Sequence, residues 1–499
     1  MRQKKSPSPQ SSSPPKVGII SLGCPKNLVD SEVMAGYLAE AGFGFVARPE
    51  EAEVIVVNTC SFIGPAVEEA KQSLREMVEL KRHGNCRILL CAGCLPQREG
   101  QALAGEFPEV DAFLRVDDLP HVAKIAGRLL GLWSREEGLP AKALASAGPE
   151  SGALGQNIEQ AQIKMPDAGM PSYLYDDTTP RLQATPPWTA YVKIAEGCLH
   201  RCSFCTIPAI RGRFRSRRPE SVVREVEGLA RRGVKEIVLI AQDSTAYGRD
   251  NGASLPALLR RLEQIPGIRW IRLMYSFPGE VTKELLAVMA DSDRICHYLD
   301  LPLQHAHPAI LRRMHRAGSG ESYLEMIARL RAALPDIALR SAFIVGFPGE
   351  GEREFQALLD FLQQAQSDRV GAFIYCREAG TAAAEMEDQV PAEIARERYE
   401  RLMLAQQEIS RQKNLAWVGK ELQVLVETVA KKGLVGRSFR DAPEIDGEVI
   451  IEPPRGKANP KAGEFVTAEI TGAAEYDLSG RLANIGALSA GRVPRKKRG

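Results

Sequence analysis

The sequence has no long apolar run. No window approaches the roughly 18 uninterrupted apolar residues that read as a membrane-spanning helix, so a membrane protein is not expected. It also has little net charge: +2 at pH 7, which gives no global field pointing to nucleic acid. Aromatic residues make up only 6%. The start, MRQKKSPSPQSSSPP, lacks the apolar core of a signal peptide, so residues 1–15 read as a disordered tail and the protein as cytoplasmic. No internal repeat is visible. The ten cysteines do not form matched pairs. In a reducing compartment disulfides are a poor account of them, and metal or cluster ligation is a better one where they fall into motifs.

What is present is a chain of 499 residues, enough for two to four domains. Residues 16–134 alternate strands (KVGIISLGC, AEVIVVNTC, CRILLCAGC) with helical patterns (SEVMAGYLAEAG, PAVEEAKQSLREMVELKR). That alternation predicts an α/β domain with a parallel sheet. Residues 135–185 lose apolar periodicity and read as a linker or insertion. Residues 186–416 repeat about six βα units, with strands in WTAYVKIAEG, EIVLIAQD, IRWIRLMYS, YLDLPLQ, LRSAFIVGF and VGAFIYCR. They suggest a full or partial (β/α) barrel. Residues 417–486 switch to period-two strands with glycine-rich turns, a small all-β barrel. Residues 487–499 form a short basic tail.

The most specific signal is GCLHRCSFC, which places cysteines at 198, 202 and 205. Thiolates at this spacing suit zinc or an iron–sulfur cluster. A structural zinc needs a fourth ligand, and His200 inside the loop is the available one. A cluster with three cysteine-held irons and one open iron instead leaves a position for a substrate or cofactor. C-x3-C-x2-C after the first strand of a barrel resembles the radical S-adenosylmethionine (SAM) superfamily. The resemblance implies that the open iron binds the amino and carboxylate groups of SAM. One electron then cleaves the sulfonium to methionine and a 5′-deoxyadenosyl radical. It also implies SAM contacts at the carboxyl ends of later strands. Gln242 and Asp243, then Gln304 and His305, then Gly346 to Glu350 stand at such ends. The glycines there would let backbone approach an adenine ring. Each could equally be a loop cap, and His305 a structural histidine. Arg211, Arg213 and Arg217 in IPAIRGRFRSRRP could pair with carboxylates of SAM or substrate, or belong to a solvated basic loop.

Three more cysteines end predicted parallel strands: Cys24 in SLGCPKN, Cys60 in NTCSF and Cys94 in AGCLPQ. Ligands gather at the carboxyl ends of such strands, so these can converge although 34 to 36 residues separate them. Buried free thiols are the plainer alternative. Cys91 would complete a CxxC but lies inside the apolar run RILLC; Cys86, Cys296 and Cys376 match no motif. The order of three-cysteine α/β domain, radical SAM domain and small β-barrel resembles the methylthiotransferases. The resemblance implies a second [4Fe-4S] cluster on Cys24, Cys60 and Cys94 whose open iron holds the sulfur to be delivered. One SAM donates a methyl group to that sulfur and a second provides the radical. The implied partners are an electron donor such as a flavodoxin or ferredoxin, and a sulfur donor.

One branch of that family modifies an adenosine of tRNA (MiaB type). Another modifies the β-carbon of an aspartate in a small-subunit ribosomal protein, number twelve (RimO type). SLGCPKNLVDSE, AEGCLHRCSFCTIPAIRG and GRSFRDAPEIDGEVII resemble the second. Residues 417–486 hold 9 Lys/Arg and 11 Asp/Glu, a net of −2. That repels phosphate, counts against tRNA binding, and suits a basic ribosomal protein. The TRAM-like barrel therefore reads as a protein-binding module, with Asp441, Glu444 and Asp446 as its contact residues. The remaining alternative, from another class, is a non-catalytic metal or electron-transfer module.

Overall fold

The computed structural model describes residues 13–132, 169–453 and 460–483. The tail over residues 1–12, most of the insertion (133–168) and the basic tail lie outside the described residues. The chain divides into two compact units. Residues 1–184 together with 209–211 form the first, and 185–208 with 212–499 form the second.

The first unit is a five-stranded parallel sheet in the order β2-β1-β3-β4-β5. The strands are β1 (Lys16–Ser21), β2 (Gly44–Phe45), β3 (Val54–Thr59), β4 (Ile88–Gly93) and β5 (Ala112–Leu114). Strands β3 and β4 are buried at every position, as the central strands of a sheet covered on both faces must be. Their alternation sends Val54, Val56, Ile88 and Leu90 into one core and Ile55, Val57, Leu89 and Cys91 into the other. Each such side chain contributes about 1.5–3 kcal/mol. Cys91 is therefore a core residue of the sheet.

Helix α1 (Pro25–Glu40) begins six residues before the apolar pattern SEVMAGYLAEAG. Its first two turns, PKNLVD, bury the polar side chains of Lys26, Asn27 and Asp30, which hides them from a reading based on apolar period. Proline at the first helical position, with its preset φ, supplies the start. Residues 169–184 return over this unit. The backbone N–H groups of Ser172 and Tyr173 donate to the Asp117 carboxylate at 2.9 and 2.8 Å. Arg181 pairs with the fully buried Glu32. A Cβ at Gly36 would meet the Pro180 carbonyl carbon at 2.3 Å, so α1 requires glycine where this segment crosses it.

The second unit carries six parallel strands in two runs. Strands β6 (Thr189–Lys193), β9 (Glu236–Ile240) and β10 (Trp270–Leu273) form one. Strands β11 (Tyr298–Asp300), β12 (Ala338–Val345) and β13 (Arg369–Ile374) form the other. A parallel bridge from Ile271 to Ile295 carries the first towards the second. All six expected strands are present, and the partial barrel is a six-stranded one. A short antiparallel pair, β7 (Ala195–Glu196) and β8 (Arg215–Ser216), brackets the cysteine loop. Strands β14 (Glu421–Ala430), β15 (Gly433–Ser438), β16 (Val449–Ile451), β17 (Phe465–Ala473) and β18 (Leu478–Leu482) close into a small barrel, in the order β14-β15-β16-β18-β17. It is filled by Val424, Val426, Leu434, Val449, Ile451, Ile470 and Leu478.

The acidic residues of this small barrel are not where the charge count placed them. Asp441 accepts from Arg369 at 2.9 Å and Asp446 from the Tyr298 hydroxyl at 2.7 Å, and both carboxylates are nearly inaccessible. Arg437 reaches the fully buried Glu236 at 2.6 Å, and Arg272 reaches the same carboxylate at 2.9 Å. Arg440 pairs with Asp368 at 3.0 Å. The barrel is thus anchored to the amino-terminal ends of β9–β13 by buried, charge-assisted contacts. Only Glu444 of the expected trio is exposed. The expectation that Asp441 and Asp446 contact a substrate is corrected: composition counts charges but not the direction they face.

Candidate metal centres

In the first unit Cys24 follows β1 and caps α1, Cys60 follows β3, and Cys94 opens α2 (Cys94–Glu99) directly after β4. Strands β1, β3 and β4 are neighbours in the sheet, so the three thiols meet at one carboxyl edge. Their charges couple to one another. Gly23 and Gly93, just before two of them, hold φ of +90° and +96°. A Cβ at Gly23 would strike the Cys60 Cβ at 2.6 Å, so the turn that delivers Cys24 admits only glycine.

Asn27 joins these loops. Its side-chain amide donates to the carbonyls of Leu22 at 3.1 Å and Thr59 at 2.9 Å, and its oxygen accepts from the Cys94 thiol at 3.5 Å. Asn58 donates back to the Asn27 carbonyl at 2.8 Å, and the Thr59 hydroxyl ties to Ala92 at 2.7 Å. Nothing in the apolar pattern marks Asn27; the only local hint is its place one helical turn after a strand-end cysteine. Arg211 also belongs here. It donates to Asp30 at 2.7 Å, to Asn27, and to the Cys94 sulfur at 3.1 Å. Arg211, expected beside SAM, is thus placed with the first thiol set. Burial pushes the Cys94 thiol up to about 12 and raises Cys60 too. For Cys24 burial also raises the thiol, but Lys26, Arg211 and nearby backbone N–H groups outweigh it and the net shift is downward.

In the second unit Cys198, Cys202 and Cys205 lie on one loop after β7, again behind a positive-φ glycine, Gly197 (φ +78°). Their charges couple as well. The loop is fastened by Ser203, whose N–H donates to Met314 at 3.1 Å and whose hydroxyl donates to Arg313 at 2.7 Å. His200 turns away from ligation. Its Nε2 bonds Asp243 at 2.7 Å and its ring stacks on Phe277 at 3.7 Å. Arg316 covers the other face of that stack, 4.5 Å from the Phe277 centroid, and reaches the Cys202 sulfur at 3.8 Å. This arrangement counts against the three-cysteine, one-histidine zinc site. Among the described residues no three Cys, His, Asp or Glu side chains close on a single-ion position. Burial pushes the Cys198 thiol up to about 11 and that of Cys205 up to about 12.

Most of the expected SAM contacts are engaged within the chain. Asp243 holds His200 with one oxygen and the N–H of Thr245 with the other, at 3.0 Å. Glu350 accepts from His305 at 3.2 Å, from the Gly346 N–H at 2.9 Å and from Arg398 at 2.8 Å, so its carboxylate is engaged in one buried network. Gly346 (φ +71°) is backed by Ala395, which a Cβ would meet at 2.5 Å; helix packing, not a ligand, demands the glycine. Arg217 is pinned to Ser221 at 2.8 Å and to Glu225. Gln304 sits at φ +71°, bridging β11 to β12 through its backbone. Gln242 is different: its amide N–H2 donates to Glu196, but its buried Oε1 has no partner. The hydroxyls of Ser244 and Ser276, at the ends of β9 and β10, are buried and unpartnered too. Three orphaned polar atoms at adjacent strand ends are what a small polar ligand would satisfy. The two serines escaped the sequence reading because isolated serines carry no motif.

Comparison with known proteins agrees with this layout. Residues 192–362 match the radical SAM superfamily, 16–115 the uncharacterized protein family UPF0004, and 418–483 the TRAM domain. Among solved structures, a radical S-adenosylmethionine methyltransferase from Kitasatospora setae, TsrM, shares the fold at a TM-score of 0.52. It is 16% identical and covers 74% of this chain and 77% of that one. Among curated proteins, the ribosomal protein uS12 methylthiotransferase RimO of Pelotomaculum thermopropionicum is 47% identical over 93% of this chain and 98% of its own. The enzyme of the same name from Geobacter sulfurreducens is 44% identical over 94% and 98%. On this evidence the chain belongs to the RimO family of radical SAM methylthiotransferases.

Proposed function

We propose that this chain attaches a methylthio group to the β-carbon of an aspartate in the small-subunit ribosomal protein uS12. The single observation that carries the reading is the pair of separate three-thiol sets at strand ends. Cys24, Cys60 and Cys94 would hold one [4Fe-4S] cluster, and Cys198, Cys202 and Cys205 the other. Each set supplies soft donors and stops one ligand short of closure. Bound there, the clusters and SAM supply one-electron sulfonium cleavage and the sulfur to be inserted. The chain's own residues orient and neutralise. Asn27 fixes the three loops of the first set, and His200 with Asp243 fixes the loop of the second. Gln242, Ser244 and Ser276 present unfilled hydrogen-bonding capacity to the polar groups of SAM.

Protein rather than tRNA is favoured as substrate. The curated relatives are named for uS12, and the barrel segment 417–486 is net acidic, which disfavours phosphate. A flavodoxin- or ferredoxin-type reductant and a separate sulfur donor complete the partners. No helix among the described residues is long and apolar enough to cross a membrane, and we assign the chain to the cytoplasm.

The test uses anaerobically reconstituted full-length protein with reductant, sulfide and SAM, offered uS12 and bulk tRNA in parallel and read by mass spectrometry. A methylthio increment on an aspartate of uS12 is expected. An increment on tRNA adenosine with unmodified uS12 would overturn the substrate assignment.

A further inference from the structure

We propose that Arg211 is a charge-compensating positioning residue for the cluster held by Cys24, Cys60 and Cys94, and that it sets that cluster's reduction potential. The inference rests on the reading of those cysteines as ligands. Arg211 is 2% exposed, and a buried guanidinium needs anions close by. Its Nη1 donates to the Asp30 carboxylate at 2.7 Å and its Nη2 to the neutral amide oxygen of Asn27. The same Nη2 also donates to the Cys94 sulfur at 3.1 Å. That contact becomes an ion pair when Cys94 is a thiolate, which is its state as an iron ligand.

Hydrogen bonds to ligand sulfurs and local charge are main determinants of cluster potential. Reduction adds one negative charge to a site already carrying three thiolates. A fixed guanidinium favours that reduced state. Asp30 works in the opposite direction, since it partly neutralises Arg211. The second thiol set has a looser counterpart: Arg316 stands 3.8 Å from the Cys202 sulfur and is stacked on Phe277.

The experiment isolates the first cluster in the full-length chain by replacing Cys198, Cys202 and Cys205 with alanine. Anaerobic reconstitution with iron and sulfide is followed by a dithionite titration monitored by electron paramagnetic resonance. R211Q is expected to lower the equilibrium constant for reduction at least tenfold, a fall of about 59 mV for one electron. D30N, which keeps the guanidinium but removes its carboxylate, is expected to raise it. A purely structural role would not move the two in opposite directions. Unchanged potentials in both variants, or shifts of the same sign, overturn the proposal. If R211Q does not fold, D30N decides alone: a raised potential supports the inference and an unchanged or lowered one overturns it. Absence of any cluster in the parent triple variant would instead overturn the reading of Cys24, Cys60 and Cys94 as ligands.

Discussion

Replacing Asn27 with alanine should remove one iron–sulfur site and spare the other. The side chain ties three loops at once, through Leu22, Thr59 and Cys94. Alanine takes the donor from the buried Thr59 carbonyl and the half-buried Leu22 carbonyl, and removes the acceptor used by the Cys94 thiol and Arg211. A stranded buried group costs about 1–3 kcal/mol, which the Thr59 carbonyl alone supplies. That cost falls on the first unit, whose strand-end turns are also constrained by Gly23 and Gly93. Reconstituted N27A should therefore bind about four iron atoms per chain rather than about eight. Reductive SAM cleavage should persist, because the cysteine loop at 198–205 is fastened by other residues. Iron analysis, visible absorption and a thermal melt read the outcome. A variant with full iron content and an unchanged melt would refute the assignment of Asn27 as the tie between these loops.

Three further outcomes follow from the same geometry. Substituting Cys60 with alanine should halve the iron content, whereas alanine at Cys296 or Cys86, which are buried away from both thiol sets, should leave it unchanged; iron analysis of each variant decides. In the metal-free protein Cys24 should be alkylated ahead of Cys60, Cys94, Cys198 and Cys205. It alone of these has its thiol held below the ordinary value, while burial raises the others; peptide mass spectrometry at neutral pH gives the order. E236Q should destabilise the chain by about 3 kcal/mol, because it removes the carboxylate that Arg272 and Arg437 share in the interior, leaving Arg437 with Glu427 and Arg272 with the carbonyls of Ser438 and Phe439. Burial raises the Glu236 carboxyl, but the two guanidinium groups outweigh it and hold it below its ordinary 4.5. Its stabilising contribution is therefore complete above about pH 4.5 and lost as pH falls through the depressed value. Wild-type melting temperature should drop more steeply below pH 4.5 than that of E236Q, and parallel pH profiles would count against the assignment.

The strands, the strand-end placement of Cys24, Cys60 and Cys94, and the three-part order were legible because each leaves a local mark. β-Branched runs such as VIVV report a buried parallel strand. The glycine–cysteine steps at 23–24, 93–94 and 197–198 mark sharp turns at strand ends, and all three glycines adopt positive φ. A three-thiol loop states its donor chemistry in the spacing alone. The start of α1 was not legible, since its buried polar turns follow no apolar period. For Arg211 the sequence offers only a guanidinium suited to carboxylates of SAM or substrate. Its partners Asp30, Asn27 and Cys94 lie 181, 184 and 117 residues away.

Local pattern states the chemistry on offer: two three-thiol sets, a radical SAM framework and an acidic C-terminal barrel. Folding settles which polar groups are consumed in holding the chain together. It turns Asp441 and Asp446 into anchors, His305 and Glu350 into a buried network, and leaves Gln242, Ser244 and Ser276 unsatisfied. The physical reason is that apolar burial repeats with the period of a helix or strand and so is written locally. A buried charge instead pairs with whatever the fold brings beside it, as Arg437 does with Glu236 across 201 residues, and that pairing has no period to read.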